Sequence, residues 1–598
     1  MIKRIAPVGL ILAVACGGRA SDGTGPPPPP PPASSDISTM AIGDVRVFNP
    51  SDIPNGIDLP PQTSARDYVI IVANTSLQHD VVANYFVKAD RSPGAAFGSP
   101  ASSTLSALPS LSVESQIPLA VTPQQVVDNV VRGFERRNLV LRSPLDRLGG
   151  SRLTPRLSIQ AASLAIPVVG DKLSLNIPDA SKSNLCTNYI PTQAVVASVS
   201  TKAILAVDTL DGPPATLFTQ QQMDSITTEF DGITYPTDAA YFGNPTDIDS
   251  NGRIIMLFTG QINKLTPAGS PASAGFVGGF FFAGDFFPPT GTTPGTFCPE
   301  SNRAEIFYLL SPDPMAKFGN VRTTSSVRQG TRGTIAHEFQ HMINAGNRYQ
   351  NPAVSDFEST WLDEALAHFG EDAVGRTQRG FGDLQTLTFN TLLPCNTPCS
   401  QANDFNAFFY QNLARLTYWM DKTNLYSPTS ALADTSLATR GAAWALVRYA
   451  ADSYSSGLPR AFTKKLVAGP DTGVTNFTAV TAAPIDTVVK SWLVSMYADH
   501  LGITGLPAKY QWQSYNLRDV MPPVARAVLN QTTATYPLFV QFIGSGSDNI
   551  AATNRSGSGT YYRLSVGANS AAKNVKILDQ SGVAASFAGE HVYVLRVQ

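Results

Sequence analysis

The run Thr334-Ile335-Ala336-His337-Glu338-Phe339-Gln340-His341 constrains this chain more than any other. On an α-helix, residues i and i+4 lie one above the other, so His337 and His341 can converge on a single metal ion. Glu338 is rotated about a third of a turn away, close enough to take a proton from a water held on that ion. Ile335, Ala336, Phe339, Met342 and Ile343 recur at helical spacing around the pair, and this spacing predicts a helix. Thr331 or Thr334 is placed to cap its start and Gly346 to end it. The chain has six histidines in 598 residues. Two of them at this spacing around a glutamate read as metal ligands rather than as structural core histidines.

A catalytic zinc takes three protein ligands and leaves one position open, so a third ligand is required. Glu364 in Trp361-Leu362-Asp363-Glu364-Ala365-Leu366-Ala367-His368 is the best placed. Twenty-two residues separate it from His341, enough for a loop through Asn351-Pro352 and a return on a second helix. Apolar Leu362, Leu366 and Phe369 predict that helix over 360–374, with Gly375 as its stop. Asp363 can orient a histidine, and His368 shares a helical face with Glu364. The competing reading of this stretch is a solvated acidic face.

HEFQHMI followed by WLDEALAH resembles the gluzincin pattern of zinc metallopeptidases, in which HExxH is followed on a later helix by Glu in a WL-(Asn/Asp)-Glu-(Gly/Ala) context. The resemblance implies zinc held by His337, His341 and Glu364, with Glu338 as general base in peptide-bond hydrolysis. Thermolysin-like enzymes carry Asp at the position of His368, so the chain departs from the pattern there. The metzincin pattern HExxHxxGxxH does not apply, because Met-Ile-Asn-Ala-Gly-Asn-Arg follows His341 with no third histidine. The helical run 440–454, the zinc motif and an Asp-x-Asp-x-Asn-Gly turn are together similar to the hyicolysin family of secreted bacterial neutral metalloproteases, over roughly residues 200–500. No Gly-Ala-Met-Glu-Asn exopeptidase strand is present, which favours an endopeptidase. An oxyanion donor is also required. Tyr449, His368 and His500 are chemically able, and sequence does not choose among them. The alternative from another class is a surface-anchored binding or adhesion protein on an inactive zincin scaffold.

The ends of the chain point to export. Lys3 and Arg4 precede an apolar run over 5–15, too short to span a membrane and suited to a signal peptide. Ala13-Val14-Ala15-Cys16 resembles a lipoprotein signal, with Cys16 as the lipid-modified residue, although ordinary secretion is the other reading. Residues 17–36 hold seven consecutive prolines, Pro26 to Pro32, and read as a disordered spacer. Charged residues make up 15% and the net charge is −2, which excludes a basic field for nucleic acid. The membrane is therefore a partner only through a lipid anchor, and the other partners implied are protein or peptide substrates. Besides Cys16, the four cysteines Cys186, Cys298, Cys395 and Cys399 suit two disulfides, with 395–399 and 186–298 as the pairing expected.

The fold class expected is multidomain α+β. A β-rich N-terminal domain or pro-segment is read over 37–190, a zincin-like metallopeptidase domain of mixed sheet plus helical lobe over 191–512, and a β-sandwich over 513–598. One helix is predicted in the first of these, from Thr122 through Phe134. Within the second, Asp247, Asp249, Asn251 and Gly252 have the spacing of the first half of a calcium loop. Phe258 stands where such a loop needs a bidentate glutamate, so a tight Asx/Gly turn is the competing reading.

Overall fold

β-Branched and aromatic runs bounded by turn residues form fifteen strands among the described residues, and the helical periodicities lie between the sixth strand and the eleventh. The computed structural model describes residues 35–76, 81–91, 166–182, 184–270, 276–292, 296–395, 400–430, 436–544, 548–587 and 589–598. The signal peptide, nearly all of the proline spacer, the helix predicted from Thr122 and Cys399 lie outside these residues. No helix among those described is long and apolar enough to cross a membrane.

The first sheet has the order β1-β15-β3-β13-β11, from Val45–Phe48 (β1), Glu590–Arg596 (β15), Arg66–Asn74 (β3), Ser558–Val566 (β13) and Val540–Ile543 (β11). The second has the order β12-β4-β14-β2, from Asp548–Arg555 (β12), Val82–Arg91 (β4), Lys573–Leu578 (β14) and Ile57–Leu59 (β2). The N- and C-terminal β regions, expected as separate domains, therefore share both sheets. Central strands β3 and β4 come from the N-terminal region, and each pairs on both sides with strands from the C-terminal one. Period-two alternation explains how β3 serves two cores at once. Tyr68, Ile70 and Val72 point into the sandwich interior, while Val69, Ile71 and Ala73 join the core that runs into the helical region. A strand buried on both faces reads as the nearly unbroken apolar run that the sequence shows here.

The third sheet is mixed, with order β5-β6-β7-β8-β10-β9. It is built from Lys172–Pro178 (β5), Tyr189–Val199 (β6), Ala203–Asp208 (β7), Ile254–Thr259 (β8), Ile306–Leu310 (β10) and Gly279–Phe281 (β9). β7, β8 and β10 run parallel, while β9 is an antiparallel edge strand. β5 was expected in the N-terminal region, but it pairs with β6 along its whole length and so belongs to this sheet. Cys186 and Cys298 form a disulfide next to it, with a Cα–Cα distance of 4.5 Å, as expected. Cys395 is also disulfide-bonded.

The helices that build the site are Gln220–Glu229 (α1), Tyr235–Phe242 (α2), Thr324–Gln350 (α3), Thr360–Arg379 (α4), Tyr410–Asp421 (α5), Leu437–Ser453 (α6) and Ile485–Ala498 (α7). Helix α3 carries the histidine pair and is longer than the sequence predicts. Thr323 caps it, while Thr331 and Thr334 donate back to the carbonyls of Val327 and Gly330 inside the helix. Gly346 does not end α3, because a Cβ there would meet Thr246 at 2.7 Å; the glycine makes room for a neighbouring loop. Gly375 has the same role in α4, against Phe408 at 2.6 Å, and that helix runs on to a left-handed cap at Gly380. Both glycines read as punctuation in one dimension and are spacers in three.

Residues 35–598 form one compact unit, and the sandwich is continuous with the helical core. Tyr561 of β13 donates to the Leu493 carbonyl of α7 at 2.8 Å. Behind α3, Asp238 of α2 is fully buried and neither of its carboxylate oxygens has a hydrogen-bond partner. Burial alone pushes its pKa well above the ordinary value.

Two outcomes are expected. A chain beginning at residue 166 lacks four strands of the sandwich, including both central ones, and should be recovered insoluble where the chain from residue 35 is soluble. Normal soluble yield and cooperative unfolding of the truncated chain would show that the N-terminal strands are dispensable. Because the folded state holds Asp238 protonated, stability should fall as pH rises above the unfolded carboxyl value of about 3.9 toward the raised folded value. Asp238→Asn should therefore raise the unfolding midpoint at pH 8, on the order of 2 °C or more, and leave it nearly unchanged at pH 4. An equal shift at both pH values would contradict the assignment.

Candidate metal centre

Helices α3 and α4 pack side by side, with Gly370 of α4 lying 3.5 Å, measured from where a Cβ would be, from the Ala336 carbonyl of α3. This close approach brings together three side chains that the sequence could only propose to meet. The Nε2 atoms of His337 and His341 are 3.1 Å apart. Glu364 Oε2 lies 3.6 Å from His337 Nε2, and its Oε1 lies 3.7 Å from His341 Nε2. One ligand atom from each of the three falls within 4.8 Å of the others. Ligands at about 2.0–2.1 Å around a tetrahedral zinc stand roughly 3.3 Å apart, so the donor set and its spacing fit that ion.

Each imidazole is backed by a carboxylate. His337 Nδ1 is 2.8 Å from Glu371 Oε1, and His341 Nδ1 is 3.1 Å from Asp363 Oδ2. This pairing fixes the ring orientation and leaves Nε2 as the metal-facing nitrogen. Asp363 is held in turn by Asn344, whose amide donates to Oδ1 at 2.6 Å. Glu371 accepts from Asn412 at 3.2 Å and is also 3.0 Å from His368 Nδ1. Burial opposes ionisation of Glu371, but His368 and His337 beside it hold its carboxyl well below the usual range. Burial likewise lowers His368 to about 4, so that ring is neutral.

The departure at position 368 is resolved by this geometry. The carboxylate that thermolysin-like enzymes carry at that position is replaced by one three residues further along the same face, Glu371. The sequence carried the signal, since 364, 368 and 371 share a face at spacings of four and three. What it did not carry was the partner across the helix pair.

Glu338 points into the same cavity of about 530 Å3, and its Oε2 accepts from the Phe281 amide of β9 at 2.8 Å. Burial raises its pKa above the usual carboxylate value, against the pull of His337 and His341. Edge strand β9 and helix α5 both contribute to the walls of the cavity. Two arginines also line it. Arg440 of α6 lies 3.3 Å from Glu364 Oε2, and Arg415 of α5 reaches His368. Neither was read from sequence, because each arrives through tertiary packing. Gly441 permits it: a Cβ there would come within 2.3 Å of the Arg415 carbonyl carbon, so α5 and α6 touch backbone to backbone.

Of the oxyanion donors considered, only His368 lines the cavity. Tyr449 is buried with its hydroxyl on the Lys509 carbonyl, and His500 pairs with Asp499 at 2.8 Å. The calcium-loop reading is not supported either. Asn251 donates its side-chain amide to Asp249, and its oxygen accepts from the Arg253 amide. Asp247 accepts from the Gly252 amide. The turn satisfies itself, as an Asx/Gly turn does. Glu305 closes an acidic triad with Asp247 and Asp249, and it is occupied by Thr246 and the Ile248 amide.

With the geometry established, likeness to known proteins becomes informative. No protein-family model matches the chain. Over 153 residues it is 30% identical to the neutral metalloprotease ShpI of Staphylococcus hyicus. The chain is similar to a neutral metalloprotease. The likeness covers 26% of this chain and 31% of the relative, so the chain matches about a third of that protein's length.

Glu371→Gln should leave the fold intact and weaken zinc binding by about 10–100-fold in a chelator competition titration, through loss of the His337 partner. Unchanged affinity would show that Glu371 does not orient the ligand.

Proposed function

We propose that the chain is an exported, zincin-like, gluzincin-type zinc metallopeptidase that hydrolyses internal peptide bonds. The observation that carries this reading is the convergence of His337, His341 and Glu364, with Glu338 beside them in a cavity lined by edge strand β9. The similarity to a neutral metalloprotease supports it.

His337, His341 and Glu364 would hold the zinc, which when bound lowers the pKa of a water and polarises the scissile carbonyl. Glu338 removes the proton from the attacking water and later delivers it to the leaving nitrogen. The raised pKa of Glu338 makes it a stronger base than an ordinary carboxylate, which favours removal of the water proton. The bond from the Phe281 amide fixes one of its oxygens and leaves the other for the proton. β9 pairs with β10 on one side and, among the described residues, with no strand on the other, where a substrate strand can add. The same strand thus both positions the base and aligns the peptide, which sets the distance between them. Arg440 lies against Glu364 and offsets part of its negative charge. Anchoring through Cys16 and the export signal belong to the same proposal.

The test uses the zinc-loaded full chain with casein. Glu338→Gln should keep stoichiometric zinc and lose about a hundred- to ten-thousand-fold in cleavage rate. Zinc bound with no cleavage by the parent protein would instead favour a binding protein on this scaffold. Cleavage undiminished in the variant would remove Glu338 from the mechanism.

A further inference from the structure

The two cavity arginines are not equivalent. Arg440 is committed to Glu364. Arg415 is only half-buried and makes its polar contacts, among the described residues, with His368 alone. Its Nη1 lies 3.2 Å from His368 Nδ1 and 3.3 Å from Nε2. Equal reach to both ring nitrogens means that it is aligned with neither lone pair. Nδ1 is in addition committed to Glu371. The Arg415 Nε is buried without a hydrogen-bond partner. A guanidinium presents five donors in a planar fork matched to a carboxylate, and at this site most of that fork is unused. The wall around it, with Asn406, Tyr410 and Gln411, is polar and faces the cavity.

We propose that Arg415 determines specificity by binding a carboxylate of the substrate on the α5 side of the metal cluster. The inference rests on the peptidase reading and names its substrate class. The carboxylate comes either from an Asp or Glu side chain near the scissile bond or from a free C-terminus. A substrate carboxylate completes the fork that the protein leaves open, and a neutral isostere does not.

The zinc-loaded full chain is assayed on quenched peptides that differ at one position on either side of the cleaved bond, carrying Glu, Gln, Lys or Leu. A parallel set compares free with amidated C-termini. The parent should prefer Glu over Gln, or the free over the amidated terminus, by about 10–100-fold in kcat/KM. The arm that shows the preference identifies the source. Arg415→Gln should reduce that preference, read as the ratio of kcat/KM between charged and neutral peptides, to about twofold, Arg415→Lys should restore part of it, and Arg415→Glu should shift it toward Lys peptides. Binding of the same peptides to zinc-loaded Glu338→Gln, with and without Arg415→Gln, gives a readout that needs no turnover. Carboxylate selectivity in binding without any cleavage by the parent would sink the peptidase reading and leave this one standing. Absence of carboxylate preference in both assays, or an equal fall for every peptide in Arg415→Gln, would overturn it.

Discussion

Everything in this structure is arranged around two helices pressed close enough to share one cluster of acids and imidazoles. Glu338, Asp363, Glu364 and Glu371 are all buried within reach of His337 and His341. Burying that much negative charge is costly unless cations answer it. Arg440 answers part of the charge on Glu364, and a divalent ion between the imidazoles would answer most of the rest. The packing of α3 against α4 is therefore the condition for the centre to exist. Where the two helices meet at Gly370, a Cβ would stand in ordinary van der Waals contact with Gln340 and the Ala336 carbonyl.

The surroundings hold that approach in place. Below the helix pair, Arg376 and Arg448 converge on Asp372 of α4, and Arg448 is also 2.9 Å from Asp452. At the far end of α3, Arg348 and Glu358 pair in full burial and tie the loop between the two helices to the backbone amide of Gly473. Such buried pairs add geometric definition more than net stability. On the other side, α7 lies against β3, whose second face fills the sandwich, so a helical lobe and a β-sandwich share one strand. The β regions are in this sense a foundation laid by both ends of the chain.

Local signals were legible where one element carried them. The helix expected around the histidine pair, the one predicted over 360–374 and the helical run 440–454 coincide closely with α3, α4 and α6. Helix boundaries failed at glycine and threonine. Gly346, Gly375, Thr331 and Thr334 serve as contact surfaces and back-bonding groups inside helices, and a one-dimensional pattern cannot distinguish that from capping. The pairing of the terminal β regions was not legible, because strand partners are chosen by hydrogen-bonding edges hundreds of residues apart.

The sequence alone determined the chemistry: a histidine pair one helical turn apart, a glutamate between them, and a second acidic helix 22 residues on. These follow from helix geometry, which depends only on neighbours in the chain. Tertiary structure decided what stands behind and across from those groups. It supplied the Glu371 and Asp363 partners of the imidazoles, the Phe281 amide on Glu338, and the two arginines brought in by α5 and α6. Those contacts depend on the depth to which helices and strands pack, and that depth is set by small residues whose role appears only when the other side of the interface is present.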